Sequence, residues 1–206
     1  MFFQGLILGF SVAAPIGPIN LLCIQRTLDR GRLHGFISGL GAATADTFYG
    51  LIVALGLSAI MSFLLGQQLW LQLGGGAFLL AVGLKTAVTK PGQTASGPAD
   101  DAGLARAYLS VLLLTLANPA TMLLFFGVFA ALGIGSLTGR PAAGLLLVAG
   151  VFLGSAVWWL LLSFLAGLFR AHLTDGRMRW VNRVAGLAIF LLGLWSLWPI
   201  VRAKLL

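Results

Sequence analysis

Apolar residues run along this chain in long blocks, and most polar residues fall between the blocks rather than alternating within them. A helix needs about 20 apolar residues to cross the hydrocarbon core. Six blocks qualify: residues 3–25, 36–65, 69–88, 107–132, 142–169 and 181–200. The pattern predicts an all-α, polytopic integral membrane protein with six transmembrane helices. The second and fifth blocks are longer than a perpendicular crossing needs, which predicts tilt, a break or a protruding end. Helix breakers interrupt two blocks, with Pro15 and Pro18 in the first and Pro119 in the fourth. A proline removes a backbone donor and frees the carbonyl four residues earlier, here those of Ser11, Ala14 and Thr115. Such backbone persists at membrane depth only where it faces protein or a wet cavity.

Composition agrees: 59% of the 206 residues are hydrophobic and 9% charged, against about 25% charged in soluble domains. The net charge of +8 is distributed unevenly over the connections. Arg26, Arg30 and Arg32 follow the first block, Lys85, Lys90 and Arg106 the third, and Arg170, Arg177, Arg179 and Arg183 the fifth. The opposite side carries only Arg140, Arg202 and Lys204. The positive-inside rule makes the richer side cytoplasmic and both termini periplasmic. No basic face with interleaved aromatics exists for nucleic acid. Cys23 stands alone, which excludes an internal disulfide and a Cys-X-X-Cys centre. Met1-Phe2-Phe3-Gln4 carries no basic side chain ahead of the apolar run, so the first block reads as a retained helix rather than a cleaved signal.

Residues 89–105 are the most polar connection, with the run Pro-Gly-Gln-Thr-Ala-Ser-Gly-Pro of a flexible linker. They divide a single membrane domain, 1–206, into three-helix halves at 1–88 and 106–206. Three is odd, so a second half built like the first is inverted relative to it, the plan of many secondary transporters. Each half opens with a proline-interrupted block followed by one rich in small residues, with Gly35, Gly39 and Gly41 in the first half and Gly144, Gly150 and Gly154 in the second. The Gly35/Gly39 and Gly150/Gly154 pairs read as close helix packing, and Gly17 belongs to the break between the two prolines.

Asp46 is the only acid within the six blocks; Asp29, Asp100, Asp101 and Asp175 lie in connections. A charge at the bilayer centre costs at least about 2.5 kcal/mol, and intramembrane acids typically face a cavity or relay protons. The alternative is a structural carboxylate bonded to a neighbouring helix. At about 1.5 Å rise per residue from Gly35, Asp46 lies about 16 Å deep, near the midplane. Counted the same way, Pro15, Asn118, Pro119, Ser155 and Trp158 reach a similar depth. The predicted central site therefore comprises Asp46, Asn20, Asn118, Thr44, Ser155 and Trp158. Asn20 and Asn118 flank the breaks, where an amide can serve a freed carbonyl or a ligand equally well. Trp158 and Trp159 cannot share one helix face, and packing is the favoured role for at least one. His34 and His172 lack metal-ligand spacing, so no metal site and no cofactor is expected. Paired carboxylates, or a nucleophile beside a histidine, are missing from the blocks, which argues against an enzyme.

Ala14-Pro15-Ile16-Gly17-Pro18-Ile19-Asn20, the Gly35-xxx-Gly39-x-Gly41-xxxx-Asp46 pattern, Asn118-Pro119 and Gly150-xxx-Gly154-Ser155-xx-Trp158 together resemble the lysine exporter (LysE/RhtB) family of bacterial amino-acid efflux proteins. The resemblance spans the chain. It implies a multi-pass protein of the bacterial inner membrane and a secondary exporter of amino acids or related small metabolites. Its partners would be that small-molecule substrate, protons and membrane lipid, with a homodimer as an admissible assembly. Many members carry a basic or polar residue after the Asn-Pro pair, where this chain has Ala120-Thr121-Met122, so the substrate stays open. The wider superfamily includes exporters of divalent metal ions, which is the alternative function; one membrane acid and one cysteine form a poor cage for such a cation.

Overall fold

The computed structural model describes residues 1–15, 17–54, 60, 63, 66–88, 101–131, 140–170 and 174–205. Among them the regular structure is helical: α1 (Phe2–Ala13), α2 (Pro18–Arg30), α3 (Arg32–Ala54), α4 (Gln68–Val88), α5 (Asp101–Leu116), α6 (Pro119–Ala131), α7 (Pro141–Arg170) and α8 (Asp175–Leu205). Four of these, α3, α4, α7 and α8, are each long and apolar enough to cross a membrane. The pairs α1/α2 and α5/α6 qualify together and are bent by 80° and 64° at their breaks, which makes up to six spans if each pair is one span. Both bends fall at the prolines. Pro18 and Pro119 each take the first position of the new helix, where no backbone donor is needed.

Several boundaries differ from the sequence pattern. The first block was expected to end at residue 25, but α2 continues to Arg30 and α3 starts at Arg32. Gly31 alone makes the turn, at φ 101° and ψ 168°, a conformation that residues with a Cβ avoid. Arg26, Arg30 and Asp29 are thus helical rather than loop residues, and Asp29 is buried. Apolar content falls off before the helix ends, because the last turns of α2 pack on protein instead of lipid. α5 begins at Asp101, inside the expected 89–105 linker; an acid in the first helical turn is favoured by the helix dipole. Residues 89–100, and 55–59, 61–62 and 64–65 of the second block, lie outside the described residues. The fifth block is one unbroken helix of 30 residues, about 45 Å long.

The basic ends of α2, α5 and α7 gather at one end of the bundle. Arg170 donates from Nε to Leu28 O at 3.2 Å and from Nη2 to Asp29 O at 3.3 Å, and Arg26 Nη1 donates to Ala107 O at 2.9 Å. α3 is the most enclosed span: 61% of its apolar window is buried, against 22% for α8. It packs on α2, α5 and α7, while α1 packs on α7 and α4 on α8.

Small residues make these approaches possible. A Cβ on Gly150 would collide with the backbone of Phe2, one on Gly154 with Leu6 O, and one on Gly5 with Leu147 O. The Gly150/Gly154 pair thus seats α1 directly on α7. The Gly35/Gly39 pair serves two neighbours, since Gly35 meets the Thr27 side chain of α2 and Gly39 the Trp159 indole of α7. Gly41 touches the backbone of Tyr108 and Leu112 in α5. On the outer faces, Leu160 and Phe164 of α7 and Leu187, Leu191 and Trp195 of α8 are exposed, a surface suited to lipid.

Candidate functional site

The centre of the bundle is the contact between α3 and α7. Asp46 is 3% exposed, and its Oδ2 accepts a hydrogen bond of 2.7 Å from Ser155 Oγ, itself fully buried. Ser155 Oγ in turn accepts from Trp159 Nε1 at 3.1 Å, one turn further along α7. The chain of donors, indole N–H to hydroxyl to carboxylate, is aligned toward the acid. Asp46 Oδ1 takes no hydrogen bond among the described residues.

The same turn of α7 holds the break between α1 and α2. Trp158 Nε1 donates to Asn20 Oδ1 at 3.0 Å, and its ring meets Phe10 edge-to-face at 5.4 Å. Asn20 Nδ2 donates to Pro15 O at 2.9 Å and to Ala13 O at 3.3 Å. These are not the carbonyls of Ser11 and Ala14 that proline spacing singles out. α1 stops at Ala13 and the chain leaves helical geometry, so the carbonyls next to the break are the ones without a helical donor. In this state both amide hydrogens of Asn20 are spent on the break. The two indoles do diverge, as adjacent positions on a helix require, yet both donate hydrogen bonds; Trp159 combines this with packing against Gly39.

Tyr49, one turn beyond Asp46 on α3, was missed by the sequence reading. Its hydroxyl donates to Leu116 O at 2.8 Å, the last carbonyl of α5, which would otherwise be left unpaired at the second break. Asn118, two residues on, caps α6 by accepting from Ala120 N at 3.1 Å, and its own N–H goes to Thr115 O at 3.1 Å, the carbonyl that Pro119 frees. Asn118 is not bonded to the Asp46 group. It lines a separate cavity of about 20 Å³ together with Pro18, Gln72, Ala117 and Ser196, so both breaks border one space. That volume suits a single water.

Thr44 is not part of the Asp46 cluster. Two residues along a helix is a rotation of about 200°, so it faces α5, where Tyr108 Oη donates to its Oγ1 at 2.8 Å while it donates to Leu40 O at 2.9 Å. Arg26, taken from sequence as a loop charge, sits partly buried where α2, α3 and α5 meet. It donates from Nη1 to Ser38 Oγ at 2.8 Å and to Ala107 O, and from Nη2 to Ser110 Oγ at 2.9 Å. The serines at 38 and 110 were the sequence signal that could have marked it. No three His, Cys, Asp or Glu side chains among the described residues come close enough to share a metal ion.

Residues 10–197, carrying both breaks, Asp46 and the α7 turn, match the LysE type translocator family. The chain belongs to this family. Relatives at comparable length agree. It is 29% identical over 203 residues to YcgF of Bacillus subtilis, a protein named for amino acid efflux, covering 94% of this chain and 93% of that protein. It is 32% identical over 193 residues to the arginine exporter protein ArgO of Klebsiella pneumoniae, covering 90% of this chain and 87% of that one. No solved structure matches it. As a LysE type translocator with up to six apolar spans, it is a multi-pass membrane transporter.

Proposed function

We propose that this LysE type translocator is a proton-coupled exporter of amino acids across the bacterial inner membrane, with Asp46 as the proton-carrying group. The carrying observation is that the one acid at the bundle centre accepts from the same turn of α7 that holds the broken α1/α2 span through Trp158 and Asn20. Proton arrival at Oδ1 removes the negative charge that the Trp159–Ser155 donors face. The contact between α3 and α7 then changes strength, and that contact is continuous with the first break. Amino acid as cargo rests on the named relatives, which include exporters of arginine.

The inverted two-half plan has support in the packing. Gly35, Gly41 and Asp46 of α3 recur as Gly144, Gly150 and Ser155 of α7 at a constant spacing of 109 residues. α7 receives the backbone of α1 at its glycines as α3 receives that of α5 at Gly41. The Asp46–Ser155 bond would then lie on the axis relating the halves, where rocking of one half against the other is centred.

Reconstituted into proteoliposomes, the protein is expected to move amino acids against their gradient when a pH gradient is imposed. Asp46→Asn, an isostere that cannot ionise, is expected to reach the membrane in normal amount and to lose uphill transport by at least a hundredfold. Full proton-driven transport by Asp46→Asn would reject the coupling role.

A further inference from the structure

We infer that Arg26 is the docking point for the carboxylate of the transported molecule on its way to the space between the two breaks. The inference rests on the amino-acid export reading above and adds which group of the substrate is recognised, and where. Arg26 is a partly buried cation whose hydrogen bonds among the described residues all go to neutral oxygens: Ser38 Oγ on α3, and Ala107 O and Ser110 Oγ on α5. No carboxylate pairs with it among the described residues. Guanidinium has five donors in a planar fork, so these three bonds leave two unspent among the described residues. Buried charges are normally paired, because desolvation without a counter-charge is expensive. A site with a fixed cation, spare donors and no resident anion is complementary to an anion that comes and goes, and a carboxylate matches the fork bidentately.

Placement specifies which anion. Arg26 is one turn from the Gly31 turn, at the basic end of the bundle, and seven residues from Ile19, which is two turns along the same stripe of α2. On α5, Ala107 and Ser110 lie on the stripe that continues to Leu114 and Ala117. Ile19, Leu114 and Ala117 all line the cavity shared by the breaks. Arg26 and that cavity therefore sit on one α2/α5 seam, about 10 Å apart along it. Leu22 and Cys23 of α2 and Val111 of α5, at the intervening positions of the two helices, belong to one buried cluster. A carboxylate is a stronger acceptor than a carbonyl or hydroxyl oxygen. By taking the guanidinium it draws Arg26 off Ser38 and Ala107, the bonds that tie α2 to α3 and α5, and so loosens the seam ahead of the arriving substrate.

The test compares amino acids with their carboxamides, which keep the side chain and ammonium group but lose the anion. Proteoliposomes are loaded with an equimolar mixture of the twenty amino acids or of the corresponding carboxamides, and efflux is read by mass spectrometry for wild type, Arg26→Gln and Arg26→Lys. Wild type is expected to prefer the acids at least tenfold. Arg26→Gln is expected to raise the KM for the acids at least tenfold while carboxamide efflux is unchanged, and Arg26→Lys to fall between. Equal loss of acid and carboxamide efflux in Arg26→Gln would mean a purely structural tie and overturns the inference, as does an unchanged preference for acids. Should Arg26→Gln not accumulate, Arg26→Lys carries the comparison, with a smaller rise in KM for the acids expected and an unaltered KM overturning it. Wild type that exports no amino acid under a pH gradient rejects the export reading itself, a result distinct from any change confined to the Arg26 variants.

Discussion

At the residue scale, the anomalous side chains were legible and the ordinary ones were not. Asp46, Asn20, Ser155 and Trp158 stand out because each is polar or bulky within a block that lipid would otherwise fill with aliphatics. Tyr49 and Trp159 have the same bonding importance, but aromatic residues in an apolar block read first as packing. Arg26 was misread because its residue type says loop when the helix end is unknown. Ser155→Ala removes one bond to Asp46 and leaves the Trp159 indole without its acceptor. It is expected to destabilise the protein by about 1 kcal/mol and to slow export, read by thermal melting in detergent beside transport in proteoliposomes. Wild-type values in both would remove Ser155 from the coupling path. Asn118→Ala is expected to cost about 1 kcal/mol through loss of the α6 cap, whereas Asn118→Ser can still cap. Normal export by Asn118→Ser would limit Asn118 to capping; export lost with stability kept would implicate its amide in contact with the substrate.

At the scale of elements, proline positions located both breaks, because the missing donor and fixed φ act locally. The helix ends were less legible. α2 outlasts its apolar pattern by five residues, since Arg26 is bonded to neighbouring helices and Gln25, Thr27 and Asp29 are buried against protein. The glycines identified close packing without saying against what. Gly154 lies against the backbone of α1, so Gly154→Leu is expected to unseat α1 and destabilise the fold by at least about 2 kcal/mol, in the range of overpacking. Gly127, where an added Cβ would meet nothing within 4 Å among the described residues, serves as the comparison. Gly127→Leu is expected to leave the melting temperature in detergent unchanged or raised, as removal of a helical glycine does. Equal melting of the two variants would contradict the α1/α7 approach.

At the scale of the whole molecule, the ends of α2, α5 and α7 converge, so three arginine-bearing connections share one face. With that face cytoplasmic, a reporter active only in the periplasm and fused after residue 206 is expected to be active; activity of a cytoplasm-only reporter there would reverse the orientation. The sequence by itself determined that the chain is a helical membrane protein, where its regular helices fail, and which acid lies among the spans. Hydrocarbon imposes that information residue by residue, through the cost of every exposed polar group, so composition along the chain records it. Tertiary structure alone decided that Asp46 meets Ser155 rather than Thr44 or Asn118, that the two breaks border one cavity, and that Arg26 ties α2 to α3 and α5. Those facts depend on how each helix is rotated and where it ends. Rotation is set by the summed fit of glycines and side chains on facing helices, which no single stretch of sequence carries.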